Sequence, residues 1–308
     1  MAIAIGIDLG ATAIKAMAFT VGGEVLAQTT TPTRDGAIEA GLPAWAPAVR
    51  RIVAELEAHA AGGEVRVGLS APGLAARDGR SIAVMPGRMT GLAGFDWTTY
   101  LGRSVPVLND AHAALVGEVW QGAARGARDA VLLTLGTGVG GAILSEGRLL
   151  KGHIGRAGHL GHLCLDPDGA PGIMNTPGTL EQAMGDCTVA ARTEGRFTTT
   201  RALVEAASAG DAVAGRVWRR SLRVLACAIA SIVNAVDPER VVLSGGITEA
   251  GPRLFEPLAA ELDAVEWRPL EKRVTVVPAT LGAWAGAYGA ARSALDGAVS
   301  APGGKASA

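Results

Sequence analysis

Residues 131–144, VLLTLGTGVGGAIL, decide the fold, because residues 3–20, IAIGIDLGATAIKAMAFT, are laid out in the same way. Each is a β-rich run that enters a glycine turn and leaves as a second β-rich run. The dipeptides Leu9-Gly10 and Leu135-Gly136 correspond at a displacement of 126 positions. Each second run reaches a hairpin turn, at Gly22-Gly23 and at 145–147, and a third run follows at 24–30 and 148–150. The match lies in arrangement more than in letters and points to an internal duplication of an α/β unit. Two like halves would set two glycine turns face to face across a cleft.

Outward from the first copy, Val49, Ile52, Val53 and Leu56 have the spacing of one helical face, and Gly62-Gly63 end that helix. A buried strand is expected at 65–69. Residues 77–102 break into Gly, Arg, Met and Thr, an irregular segment of the kind that lines a site. A strand at 105–108 ends at Asn109-Asp110, and AHAALVGEVWQGAA continues as a helix. Beyond the second copy a long helix is expected at 217–236, stopped by Asp237-Pro238. A strand at 240–243 feeds SGGI, a helix follows near 254–262, a strand at 274–277 and an Ala-rich helix at about 283–294.

Three loops offer backbone amides unshielded by a Cβ, at 10–12, at 136–141 and at Gly245-Gly246. None fits G-x-x-x-x-G-K-[ST], and the first lacks the later glycines of a dinucleotide fingerprint. Asp8, at the end of the first strand, can hold Mg2+ through water beside phosphates, or can serve only as a turn-forming Asp. Asp110, at a strand end, can take a proton from an attacking hydroxyl while Asn109 orients it, or can cap the following helix. His153, His159 and His162 crowd one stretch, three of only five histidines. His159 and His162 would share a helical face and could ligate zinc. The glycines of AGHLGH and the want of a nearby cysteine or acidic third ligand favour hydrogen bonding to a polyhydroxylated molecule.

Composition excludes other classes. In 308 residues, 49% hydrophobic, a continuous core needs no staples, and a net charge of −1 without basic blocks argues against nucleic acid or anionic membrane as partner. Cys164, Cys187 and Cys227 are scattered and odd in number, as suits reduced thiols in a cytoplasm. No leader and no run of membrane-spanning length is read, so the expected partner is a small molecule.

At this point IDLGATAIK, GLSAPG, VLNDAHAALVGE, TLGTGVGGAILSEGRLL, GRAGHLGH, PGTLE, VVLSGGI and LGAWAGAYGAA jointly resemble the ROK family of bacterial sugar kinases and related repressors, from Ile5 to about Ala291. The resemblance implies an α/β, actin-like (ribonuclease H-like) fold with two duplicated domains around a central cleft. The expected division is 1–109 with a C-terminal helix at about 283–295, then 110–282, with 296–308 disordered. It implies ATP-dependent transfer of a phosphoryl group to a sugar hydroxyl, most simply the 6-hydroxyl of a hexose or derivative, with Asp110 as general base. Asn109, His159, His162, Glu181 and Gly73 then fall on the sugar side. Asp8, Gly10, Thr12, Lys15, Gly136, Thr137 and Gly138 fall on the phosphate and Mg2+ side, and Gly245 and Gly246 on the nucleoside side. A homodimer is expected by the same analogy.

Two positions depart from the family pattern. Where relatives carry a cysteine-rich, zinc-binding run, this chain reads GAPGIMNTPGTLE, so no structural zinc is expected, with Pro171 and Pro177 stiffening the loop. His159 stands where relatives have a glutamate; a carboxylate only accepts hydrogen bonds, whereas neutral imidazole donates one and accepts one. A second reading is a catalytically silent or regulatory sugar-binding protein. The regulator would need a helix-turn-helix before the first strand, which starts at Ile3.

Overall fold

The structure, a computed structural model, describes residues 1–297. Two five-stranded sheets carry the fold. The first is built from β1 (Ile3–Leu9), β2 (Ala13–Thr20), β3 (Val25–Pro32), β4 (Val65–Ala71) and β5 (Val107–Asn109), in the order β3-β2-β1-β4-β5. The second is built from β6 (Ala130–Leu135), β7 (Val139–Ser145), β8 (Arg148–Leu149), β9 (Arg240–Ser244) and β10 (Thr275–Pro278), in the order β8-β7-β6-β9-β10. In each, three antiparallel strands come first in the chain and two parallel strands complete the other edge. The two sheets therefore share one topology. The helices are α1 (Trp45–Glu57), α2 (Trp97–Leu101), α3 (Asp110–Gln121), α4 (Leu180–Met184), α5 (Val189–Arg192), α6 (Thr200–Ser208), α7 (Ala212–Val236), α8 (Pro252–Asp263) and α9 (Ala285–Gly297).

The chain forms two compact units: Met1–Gly126 with Lys151–Arg156 and the C-terminal part from Ala283, and Ala127–Leu150 with Ala157–Gly282. The division falls after Gly126, not after Asn109, because α3 packs on α9 within the first unit. A Cβ on Gly289 would stand 1.7 Å from the Ala113 carbonyl oxygen, and one on Gly117 would stand 2.5 Å from that of Ala285. The two helices meet backbone to backbone. Residues 296–297 complete α9, and the rest of the tail expected to be disordered, 298–308, lies outside the described residues.

The first unit has a core on each face of its sheet. On one, Ile3, Ile5, Ile7 and Leu9 pack with Val49, Ile52, Val53 and Leu56 of α1; burying each such side chain contributes about 1.5–3 kcal/mol. On the other, α9 lies on a flat patch made by two glycines that pair in register, Gly6 with Gly68. A Cβ on either would approach the Ala287 or Ala290 carbonyl oxygen to 1.8 or 2.0 Å, so glycine in these strands and alanine in this helix are one device. The segment 77–102 does not stay outside: Met89, Leu92 and Trp97 are buried in the first core, where Trp97 packs on Trp45 and Phe95.

In the second unit, Val131, Leu133 and Leu135 of β6 and Val241 and Leu243 of β9 are covered by α7, whose Leu222, Leu225, Ile229 and Ile232 are buried. The α7 helix begins at Ala212, five residues before the sequence pattern indicates. Asp211 caps it, accepting from the amides of Val213 and Ala214 at 2.9 Å each. Among the described residues, no helix is long and apolar enough to cross a membrane.

Candidate active site

In the first unit the chemistry gathers at the C-terminal ends of the parallel strands β1, β4 and β5, the usual ligand-binding end of an open α/β sheet. Asp8 lies in register with Lys15 on one neighbour and Ser70 on the other. Neighbours in register share a face, so the Ser70 hydroxyl donates to Asp8 Oδ1 at 2.8 Å. Burial raises the Asp8 pKa, opposed by the Ser70 bond and the Lys15 charge. Helix α9 closes in from below: a Cβ on Gly286 would stand 2.7 Å from Asp8 Cγ. The turn at 10–12 is braced by Thr33, whose hydroxyl donates to the Gly10 carbonyl at 2.5 Å and whose amide donates to that of Thr12 at 3.0 Å. The amides of Ala11 and Thr12 have no partner among the described residues.

Asn109 and Asp110 divide two tasks. Asn109 is buried and is the N-cap of α3: its Oδ1 accepts from the amides of Ala111 at 3.0 Å and His112 at 3.3 Å. Its Nδ2 donates to the Gly73 carbonyl at 2.8 Å, and its second N–H faces the Asp110 carboxylate. Gly73, at φ +102°, thus orients Asn109. Asp110 is the first residue of α3, its Oδ1 accepting from Ala111 at 2.8 Å. Its carboxylate reaches solvent, while protein atoms around it strip most of its hydration. That desolvation, with the negative charge of Asp8 second, raises its pKa from 3.8 to about 6, against hydrogen bonds from Ala111 and Asn109.

In the second unit the glycine turn and the histidine turn meet at Val139. The amide of Val139, first residue of β7, donates to Glu181 Oε2 at 3.0 Å. The carbonyl of Val139 receives Gly161, where a Cβ would come within 1.9 Å. His159 and His162 lie at the ends of a single tight turn, 160–162, closed by a bond from the His162 amide to the His159 carbonyl at 3.3 Å. Burial, and then the neighbouring His162, lower the His159 pKa and keep the imidazole neutral. Gly138 also touches this assembly, since its Cβ would stand 2.4 Å from Glu181 Oε2. His153 belongs to the first unit and is exposed, so the three-histidine cluster of the sequence is divided.

The loop before Glu181 is closed by its own main chain. Cys164 bridges Thr179 and Pro171 bridges Pro177. Amide bonds run from Leu165 to Gly178, from Gly178 to Ala170 and from Gly172 to Thr176, at 2.8–2.9 Å. Thr179 then caps α4, accepting from Gln182 at 3.2 Å, which sets Glu181 in its first turn. Among the described residues no three His, Cys, Asp or Glu side chains are placed to share a metal ion.

A pocket of about 620 Å3 opens beside the second glycine turn. Gly136, Thr137, Asp186, Thr200 and Gly246 are among the residues lining it, with Arg201 and Glu249 paired at 2.7 Å. Gly245, at φ +93°, backs onto Leu135, where a Cβ would lie 2.4 Å from its carbonyl oxygen. The turn is fixed by the amides of Asp186 and Cys187, which donate to the carbonyls of Gly136 and Thr137 at 2.9 Å each. The amides of Thr137 and Gly138 have no partner among the described residues. Asp186, Thr199, Thr200, Arg201 and Val139 are residues that sequence reasoning missed. The available signal was the run FTTTR, a threonine N-cap for α6, with Thr199 accepting from Ala202 at 3.2 Å.

Two α/β units of one topology, with unengaged amide turns and strand-end carboxylates, define a protein built for phosphoryl transfer. Residues 4–296 match the ROK family. The glucokinase of Halalkalibacterium halodurans is 31% identical over 92% of this chain and 92% of its own. The N-acetylmannosamine kinase of Escherichia fergusonii is 31% identical over 83% of this chain and 88% of its own. The solved ROK hexokinase of Thermus thermophilus has a TM-score of 0.86 at 31% identity, covering 97% of this chain and 100% of that one. The chain belongs to the ROK family and has its actin-like α/β fold.

Proposed function

We propose that this ROK-family sugar kinase transfers the γ-phosphoryl group of ATP to a hydroxyl, most simply the 6-hydroxyl, of a hexose or hexose derivative, with Asp110 as general base. The observation that carries the reading is the division of labour at the start of α3. Asn109 does the capping, so Asp110 keeps a carboxylate oxygen for a ligand, and its raised pKa suits it to accept a proton near neutral pH. As the sugar oxygen bonds to phosphorus, its proton passes to Asp110, the bond from phosphorus to the β-phosphate oxygen breaks, and ADP leaves.

The other groups have positioning roles, which is most of what phosphoryl transfer asks of a protein. The Asn109 side chain in the first unit, and the His159 and His162 rings and the Glu181 carboxylate in the second, are the groups proposed for sugar hydroxyls. The amides of Ala11 and Thr12 and of Thr137 and Gly138 hold phosphate oxygens, and the pocket beside Gly136 and Gly246 holds the nucleoside. Asp8 fits a Mg2+ held through water: one oxygen is engaged by Ser70 and the other has no partner among the described residues. When bound, Mg2+ neutralises charge on the phosphates. Lys15 balances the Asp8 charge. Family analogy extends the proposal to a cytoplasmic homodimer; sedimentation of the purified protein tests the dimer, and fractionation of the cells that make it tests the compartment.

Relatives of equal identity are named for different sugars, glucose and N-acetylmannosamine, so overall identity does not select the sugar. Coupled ADP release over hexoses, amino sugars, N-acetyl sugars and polyols tests the proposal. Turnover with at least one hexose-type sugar is expected; sugar binding without ADP release from any would favour the silent binder.

A further inference from the structure

The second unit has another pocket, of about 470 Å3, that shares no lining residue with the one beside Gly136. It lies among the loop before Glu181, α4, α5 and α7. Its volume falls in the range of small-molecule sites. Leu165, Ala183, Val217 and Val224 give it apolar walls, and three arginines, Arg192, Arg216 and Arg220, stand against a single carboxylate, Asp166.

The guanidinium of Arg192 is hydrogen-bonded by neutral acceptors only, with the Asp186 carboxylate acting on it from beyond ion-pair distance. It donates to Thr188 Oγ1 at 3.1 Å, Ser221 Oγ at 2.7 Å and the Gly185 carbonyl at 3.1 Å, so two of its five N–H groups remain. Arg216 has no ion pair among the described residues. Arg220 reaches Asp166 only at 3.7 Å, both side chains being exposed, a pair that contributes little. Arg216 and Arg220 are one turn apart on α7, where like charges repel. An anion between them and Arg192 would turn that repulsion into attraction.

We propose that this pocket binds an organic anion with an apolar body, a phosphate or carboxylate carried on a ring or branched chain. The head group pairs with the arginines, which favour planar oxyanions, and the body lies on Leu165, Val217 and Val224. This assignment stands apart from the kinase reading, because it uses none of the residues given a role there.

The test is calorimetric titration of the full chain with phenyl phosphate, benzoate, inorganic phosphate and benzyl alcohol, repeated on the double variant Arg216→Gln/Arg220→Gln. Both arginines are exposed, and matching thermal melts confirm that the variant folds. At least one aromatic anion is expected to bind one per chain, at least about tenfold tighter than inorganic phosphate or benzyl alcohol, and to lose about tenfold or more in the variant. The tighter of the two identifies the head group. Failure of both aromatic anions to bind, equal binding of benzyl alcohol, or unchanged affinity in the variant would overturn the assignment.

Discussion

Asp110 sits one residue past the cap of α3, and that step leaves its carboxylate available to a substrate. A base must be ionised, so kcat/KM is expected to fall about tenfold per pH unit below about 6 and to level above it. A flat profile from pH 5 to 8 would remove Asp110 as the titrating group. The same shift acts on stability with the opposite sign. The folded pKa exceeds the unfolded 3.8, so the unfolded chain loses its proton first and stability declines as pH rises from about 4 to above 6. Asp110→Asn removes that cost while keeping an acceptor for the Ala111 amide. Its melting temperature should exceed that of the wild type at pH 8, with the gap closing at pH 4. At His159 the expectation concerns selectivity: His159→Glu restores a charged acceptor and should raise preference for glucose over N-acetylmannosamine about ten- to hundredfold in kcat/KM. An unchanged substrate profile would show that His159 does not select.

At the scale of elements, Val139 joins the site's two ends, its amide bonded to Glu181 and its carbonyl covered by Gly161. Gly161→Ala drives a Cβ toward that carbonyl, so about 1–3 kcal/mol of stability should be lost and the KM for sugar should rise. Thermal melts and sugar titrations check it; a variant matching the wild type in both would refute the packing argument. This junction was only half legible. The glycine turns and the strands beside them could be read because period-2 apolar runs broken by glycine are strong local signals, and β1 and β6 run one residue past the expected ends, Asp8 and Thr134, to Leu9 and Leu135. The contact of Gly161 with Val139 depends on the fold and leaves no local mark. Helices α4, α5 and α6 are short, and the sequence indicates a helical stretch after Glu181 without their separate bounds, since too few turns exist to show an apolar stripe. The segment 77–102 looked like a site wall because Met89, Leu92 and Trp97 are spaced by turns and give no period.

At the scale of the whole molecule, one strand order occurs twice, and this was foreseen from two glycine turns 126 positions apart. The boundaries between the units were less legible, because α3 belongs with α9, some 170 residues away, and Lys151–Arg156 returns to the first unit. The duplication explains how a glycine turn with unengaged amides came to stand in each unit, while only the first carries the Asn109-Asp110 pair. The proposed chemistry turns on Asp110 taking the proton from a sugar hydroxyl. The most direct measurement is ADP release with the best sugar, comparing Asp110→Asn with wild type alongside sugar binding by calorimetry. Retained sugar affinity and a kcat lower by about 10²–10⁴-fold are expected. A variant that binds sugar and turns over like the wild type would contradict it.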